Sequence, residues 1–118
     1  MVKLMACLRR KPDMSEEAFH RYWKDTHGPL VKSVPEFSRY VRRYIQSHTA
    51  QSAASLFPSQ ATTPYDGIAE LWFDSVEQMQ QAFAEPRYLE IIRPDELRFL
   101  DLPNCVSFIV DDVPMVEG

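Results

Sequence analysis

The chain alternates between two periods, and the switches mark its elements. Val2 to Arg10 is mostly apolar and ends in the basic run Arg9-Arg10-Lys11 before Pro12, which predicts a strand over residues 2–10. Ser15 then offers an N-cap, with Glu16 and Glu17 in the first turn of a helix. Phe19, Tyr22, Trp23 and Thr26 recur at i, i+3, i+4, i+7, so one face of that helix is aromatic. His27 stands four residues after Trp23, on the edge of the same stripe. Gly28 can adopt the left-handed conformation that closes a helix and Pro29 cannot continue one, so the helix is expected to end at His27.

Residues 37–48 return to period two. Phe37, Val41 and Ile45 share one face with Arg39 and Arg43, and Tyr40, Arg42, Tyr44, Gln46 and His48 share the other. From Thr49 to Tyr65 the chain is Ser, Ala, Gln, Thr and Pro around a single bulky pair, Leu56-Phe57, and a loop of this length is often functional. Asp66 to Phe73 is a third predicted strand. Asp74-Ser75-Val76-Glu77 resembles a capping box with Asp74 at the cap, and Val76, Met79 and Phe83 give the next helix its apolar stripe. Pro86 starts a helical segment through Ile92, which Pro94 is expected to interrupt before a last turn near Leu97 to Leu100. Asn104 to Val110 is the fourth strand.

Strand, helix, strand, strand, helix, strand is the split βαβ order of a ferredoxin-like α+β domain, βαββαβ, with a four-stranded antiparallel sheet and helices on one face. A sheet covered on one side leaves the other in need of a partner. That open face is expected to carry Tyr40 and Tyr44 and to meet a second copy, giving a homodimer.

A chain of 118 residues suits one domain. Its bounds are expected at 1–110, with 111–118 as an acidic C-terminal tail. A formal charge of −4 gives no support for a nucleic-acid partner, and the local Arg39, Arg42 and Arg43 cluster reads as a solvated strand face. No apolar run approaches the roughly 20 residues that span a bilayer. The apolar stretch after Lys3 is short for a secretory signal, so no membrane partner and a cytoplasmic location are expected. Cys7 and Cys105 show neither metal-ligand spacing nor a disulfide framework and read as free thiols of a reducing compartment. With only three glycines, no phosphate-cradling loop can form in the usual way, and no serine nucleophile elbow is present.

The aromatic helix with His27-Gly28-Pro29-Leu30, together with the stretch Tyr65-Asp66-Gly67-Ile68-Ala69-Glu70-Leu71-Trp72-Phe73, resembles the EthD family of the dimeric α+β barrel superfamily. The likeness runs from the first strand to about Val110. It implies a pocket between sheet and helices in each subunit, two sheets packed face to face across a dimer, and chemistry without a metal or organic cofactor. The superfamily includes methylmuconolactone isomerases, fungal polyketide dehydratases and antibiotic-biosynthesis monooxygenases, so the likeness implies the fold more strongly than the reaction. Those isomerases place a histidine near the end of the first helix and a tyrosine on the second strand, which His27 and Tyr40 match. They carry a cysteine on the third strand where this chain has Leu71, a departure that argues against a lactone isomerase.

His27 is the leading candidate for proton transfer, since an imidazole titrates near neutrality. A helix C-terminus favours its cation and burial opposes it, while the plain alternative is a C-capping role. Tyr40 is expected to donate to a developing enolate oxygen. Tyr22, Trp23, Tyr44, His48, Glu70, Leu71 and Trp72 are expected around the substrate, with Trp23, Leu71 and Trp72 as its apolar wall. Asp25 could orient an imidazole but falls opposite the aromatic stripe. His20 has no second and third ligand at metal spacing, so no metal is expected. The expected activity is a cofactor-independent lyase or isomerase (dehydratase, cyclase or isomerase type) acting on a small aromatic, polyketide-like or lactone intermediate. The alternatives are a cofactor-independent monooxygenase of phenols and a non-catalytic ligand-binding accessory protein.

Overall fold

Alternation in the first and third strands sets the two faces of the sheet. In the computed structural model, which describes residues 1–50 and 65–118, β1 (Val2–Leu8) lies between β3 (Gly67–Phe73) and β4 (Val106–Val110). β2 (Arg43–His48) pairs with the far side of β3, giving the order β2-β3-β1-β4, antiparallel throughout. This is the ferredoxin-like α+β sheet that the order of elements predicts. The loop expected over 49–65 falls mostly outside the described residues.

Paired residues share a face. Gly67, Ala69, Leu71 and Phe73 of β3 are buried on one side, opposite Leu8, Ala6, Leu4 and Val2 of β1. Against that side pack α1 (Glu16–Tyr22), α2 (Gly28–Ser33), α3 (Pro35–Ser38), α4 (Val76–Ala84) and α5 (Arg93–Phe99). Phe19, Trp23, Phe37, Phe73 and Phe99 anchor the core at 2% exposure or less, and burying such a side chain is worth about 1.5–3 kcal/mol. The opposite side carries Ile68, Glu70 and Trp72 of β3 beside Cys7, Met5 and Lys3 of β1. Lys3 and Arg43 flank the Trp72 ring at 4.9 and 5.0 Å, and Lys3 pairs with Glu70 and with Asp112 of the tail.

Several expectations change here. The first helix does not close at His27. A π-helical turn, Trp23–His27, joins α1 to α2, and Gly28 has φ −56°. Pro29 lacks the N–H that would continue the α pattern. The preceding residue instead donates five residues back, from Gly28 N–H to the Trp23 carbonyl. The same device recurs at Pro94, which does not break its helix: a π-helical turn, Tyr88–Ile92, precedes it, and Arg93 N–H donates to the Tyr88 carbonyl. The second strand starts at Arg43 rather than residue 37, because Pro35 initiates α3 and carries Phe37 into the core. Tyr40 therefore lies in a turn, not on a strand. At α4 the cap is Ser75, whose hydroxyl accepts the Gln78 N–H at 3.1 Å, while Asp74 pairs with Arg42. At α1 Ser15 caps as expected, accepting from Ala18 N–H.

Candidate active site

The two π-helical turns deliver one side chain each to a common point. His27 ends the first, and Asp95 directly follows the proline after the second. His27 Nδ1 lies 2.7 Å from Asp95 Oδ2, and the two residues are 6% and 1% exposed. The other carboxylate oxygen accepts from the Tyr22 hydroxyl and from Arg98 Nη1 at 3.1 Å. Burial alone would raise Asp95, but Tyr22, His27 and Arg98 together hold its carboxyl below its ordinary value. Burial lowers His27 below the usual histidine value, against the pull of Asp95. An ionised Asp95 accepts from Nδ1–H, which fixes the tautomer and leaves Nε2 with its lone pair. The Phe99 ring, 4.8 Å away, walls the imidazole.

His27 lines a cavity of about 180 Å³ between the sheet and the helices. Its walls are largely apolar, with Trp23, Leu71, Phe99 and Ala69 among them, and Tyr44, Arg93 and Glu96 supply polar atoms. Glu96 accepts from the Tyr88 hydroxyl at 3.0 and 3.1 Å and pairs with Arg93 at 2.9 Å. Burial pushes the Glu96 carboxyl up, outweighing the opposing Arg93 charge and the Tyr88 hydrogen bond. Two ionisable groups on one cavity thus shift in opposite directions, the histidine toward neutral base and the carboxyl toward neutral acid. Burial also raises the Tyr44 phenol, against the hydrogen bond from Gln46.

Of the residues expected from sequence, His27, Trp23, Tyr44 and Leu71 line this cavity. Tyr22 stands behind it, bound to Asp95. His48 packs on Trp23 with ring centroids 4.4 Å apart, one layer out. Three expectations need correction. Tyr40 points to Glu85 at 3.3 Å, because it belongs to the turn after α3. Glu70 and Trp72 sit on the open sheet face, since strand alternation places both opposite Leu71. Tyr44, expected on the open face, faces the helices because its register partner is Leu71. Asp25 is exposed, and the carboxylate that orients the imidazole is Asp95. Among the described residues, no three His, Cys, Asp or Glu side chains converge as metal ligands. Cys7 and Cys105 are both free.

Sequence reasoning missed Asp95 and Glu96. The available signal was Pro94-Asp95-Glu96 itself, a proline followed by acidic residues, which marks the first turn of a helix as well as a break.

Known proteins resemble this chain along most of its length. The conidial pigment biosynthesis dehydratase EthD of Metarhizium robertsii is 33% identical over 105 residues, covering 85% of this chain and 74% of that protein. The decarboxylase claH of Passalora fulva is 28% identical, covering 92% of this chain and 78% of its own. Among solved structures, an EthD-family protein from Bacillus halodurans C-125 superposes with a TM-score of 0.69 at 21% identity, covering 96% of this chain and 99% of that one. A dimeric protein of unknown function with a ferredoxin-like fold, from Bacteroides fragilis, gives 0.61 at 9% identity, covering 94% and 95%. Residues 11–103, which hold His27, Tyr44, Asp95 and Glu96, match the EthD domain, and the chain belongs to that family.

Proposed function

We propose that this protein is a lyase that removes water from a small enolisable aromatic or polyketide-like molecule, using its own side chains as acid and base. The observation that carries this reading is the buried His27–Asp95 pair on an apolar cavity that also holds Glu96. Its relative named a dehydratase points the same way. His27 Nε2 takes the proton from the carbon beside the substrate carbonyl, and the Tyr44 hydroxyl donates to the oxygen where charge develops. The carbanion's electron pair forms the new double bond as the β-hydroxyl leaves. Glu96 gives that hydroxyl its proton, so water departs. Solvent then carries the proton from His27 back to Glu96.

Decarboxylation is the second reading, favoured by the relative named a decarboxylase. It would use the same Tyr44 donor for the enolate, with Arg93 as a carboxylate contact, and would not need His27 to remove a carbon-bound proton. The test is proton exchange in deuterated water on a panel of aromatic β-hydroxy ketones and aryl ketones. Wild type should exchange the hydrogen beside the carbonyl, and His27→Ala should lose about 10²–10⁴-fold of that rate. Glu96→Gln should keep exchange and lose water elimination. Carbon dioxide release from an added aromatic β-keto acid that survives in His27→Ala, with no water elimination from the hydroxy ketones in wild type, would replace the first reading by the second.

The open sheet face supports a homodimer as part of this proposal. Phe108 and Val106 are 46% and 45% exposed there, beside Ile68 and Met5, and such a face is costly to leave in water. Equilibrium sedimentation should give twice the monomer mass, and a Phe108→Glu chain should sediment as a monomer.

A further inference from the structure

Gln46 does not line the cavity, yet three contacts fix its amide. Nε2 lies 2.8 Å from the Trp23 carbonyl oxygen and 3.1 Å from the Tyr44 hydroxyl, and Oε1 lies 2.9 Å from His48 Nε2. A carbonyl only accepts, so the amide nitrogen must face Trp23 and the amide oxygen must face His48. His48 Nε2 therefore carries a hydrogen. Burial, then the nearby His20 and Lys24, lower His48 and favour its neutral form. In that form Nδ1 is bare and accepts from His20 Nδ1–H across 2.7 Å.

The second amide hydrogen of Gln46 goes to the Tyr44 oxygen at 3.1 Å. An amide nitrogen donates and does not accept, so the phenol must send its own hydrogen elsewhere. Tyr44 lines the cavity, and among the described residues no acceptor takes that hydrogen. Gly28 supplies an independent observation. A Cβ there would stand 2.8 Å from Gln46 Nε2 and 3.3 Å from the Trp23 carbonyl oxygen. The glycine after His27 thus serves close approach to this amide rather than a left-handed turn.

We propose that Gln46 is a positioning residue that fixes the Tyr44 hydroxyl as a hydrogen-bond donor into the cavity, and that His48 and His20 hold Gln46 in that sense. This rests on the reading of the cavity as the reaction site. Because His48 Nε2 bears a hydrogen whether the ring is neutral or charged, the orientation persists when His48 titrates. The ligand class that follows is a molecule presenting a carbonyl or phenolate oxygen, not a hydroxyl hydrogen, to Tyr44.

Acetophenone labelled with ¹³C at its carbonyl tests this by isotope-edited infrared spectroscopy on wild type, His27→Ala, Tyr44→Phe, Gln46→Glu and Gln46→Met. A bound carbonyl that accepts from Tyr44 absorbs at lower frequency than the ketone bound without that donor. The lowered band should appear in wild type and persist in His27→Ala. It should vanish in Tyr44→Phe and move most of the way back in Gln46→Glu, whose carboxylate captures the phenol hydrogen. Gln46→Met, which neither accepts nor donates in this way, should fall between and serves if Gln46→Glu does not fold. No lowered band in wild type, or a wild-type band in both Gln46 variants, overturns the proposal. The His27→Ala arm separates the two claims, since proton exchange can fail while the lowered band remains.

Discussion

The two proline-bearing helices solve one backbone problem and contribute to the site in opposite ways. In both, the residue before the proline donates five residues back across a π-helical turn. The first helix offers His27, two residues before Pro29, and leaves Leu30, just after it, half-buried and away from the cavity. The second buries Ile92, two residues before Pro94, in the core and offers Asp95, just after it. The extra residue in each turn shifts the phase of the helix, so a side chain on one side of the turn no longer shares a face with its α-helical neighbours. Joined at 2.7 Å, one residue upstream of a proline and one downstream make a pair that neither helix could present alone. π-bulges occur often at functional sites, and here the reason is geometric.

Removing the charge of Asp95 should break the pairing most severely. Its Oδ1 receives the Tyr22 hydroxyl and Arg98. In Asp95→Asn the amide oxygen stays with those two donors and the amide nitrogen turns to His27. Nδ1 must then accept, the ring hydrogen moves to Nε2, and the lone pair facing the substrate is lost. Exchange activity should fall by about 10²–10⁴-fold, with ¹⁵N shifts of His27 reporting the inverted tautomer. Full activity with an unchanged tautomer would sink the assignment of Asp95.

The prolines themselves sharpen the comparison. Pro94→Ala restores an N–H four residues after the Glu90 carbonyl and lets an α-helical turn form, which rotates everything downstream, including Asp95. Pro29→Ala does the same downstream of His27, where the site has less to lose. Pro94→Ala should therefore cost about 10²-fold in rate, the scale set by roughly 1 Å of misplacement, and Pro29→Ala clearly less. Equal losses would mean that the prolines act through stability, which thermal unfolding would reveal.

The same asymmetry explains what could be read from the chain. The strand order, the aromatic stripe and His27 were legible because period two and period 3.6 hold through β1, β3 and α1. Trp23 follows from the helical period, whereas Leu71 enters through the family likeness of the third strand, together with its neighbour Trp72. Asp95 was not legible, because a proline followed by acidic residues fits a fresh helix as well as a continuing one, and no local pattern encodes a π-helical turn. Tyr44 and Tyr40 were interchanged for a related reason: period two extends through residues 37–42, but Pro35 makes that segment helical and moves the strand start to Arg43. Glu70 and Trp72 were credited to the pocket by their company in an apolar stretch, although alternation alone puts them opposite Leu71.

The pH response of the pair carries a definite sign. Burial lowers His27 in the folded state below its ordinary value of 6.5. Exchange should therefore stay level as pH falls through 6.5 and decline only below it, tenfold per unit. For stability, the unfolded chain takes up a proton at this residue near 6.5 while the folded chain resists. Stability from His27 is complete above that pH and is lost on acidification through the window below it, at about 1.4 kcal/mol per unit. His27→Ala should flatten that window. Asp95, lowered in the folded state, loses its contribution only at more acid pH, below its ordinary 3.8, so its loss begins after that of His27.

The smallest effect belongs to the residue that sequence placed at the centre. Tyr40 donates to Glu85 across 3.3 Å, and Arg39 already holds the same carboxylate oxygen at 2.8 Å. Tyr40→Phe removes one long, partly exposed hydrogen bond from a group that keeps a charged partner, so it should cost at most about 1 kcal/mol in denaturant unfolding. Exchange should change by no more than about twofold, because the ring neither lines the cavity nor touches the His27–Asp95 pair. A loss as large as that of Tyr44→Phe would instead require Tyr40 to reach the substrate. The second strand would then have to begin before residue 40, and Phe37, at 2% exposure, would have to leave the core.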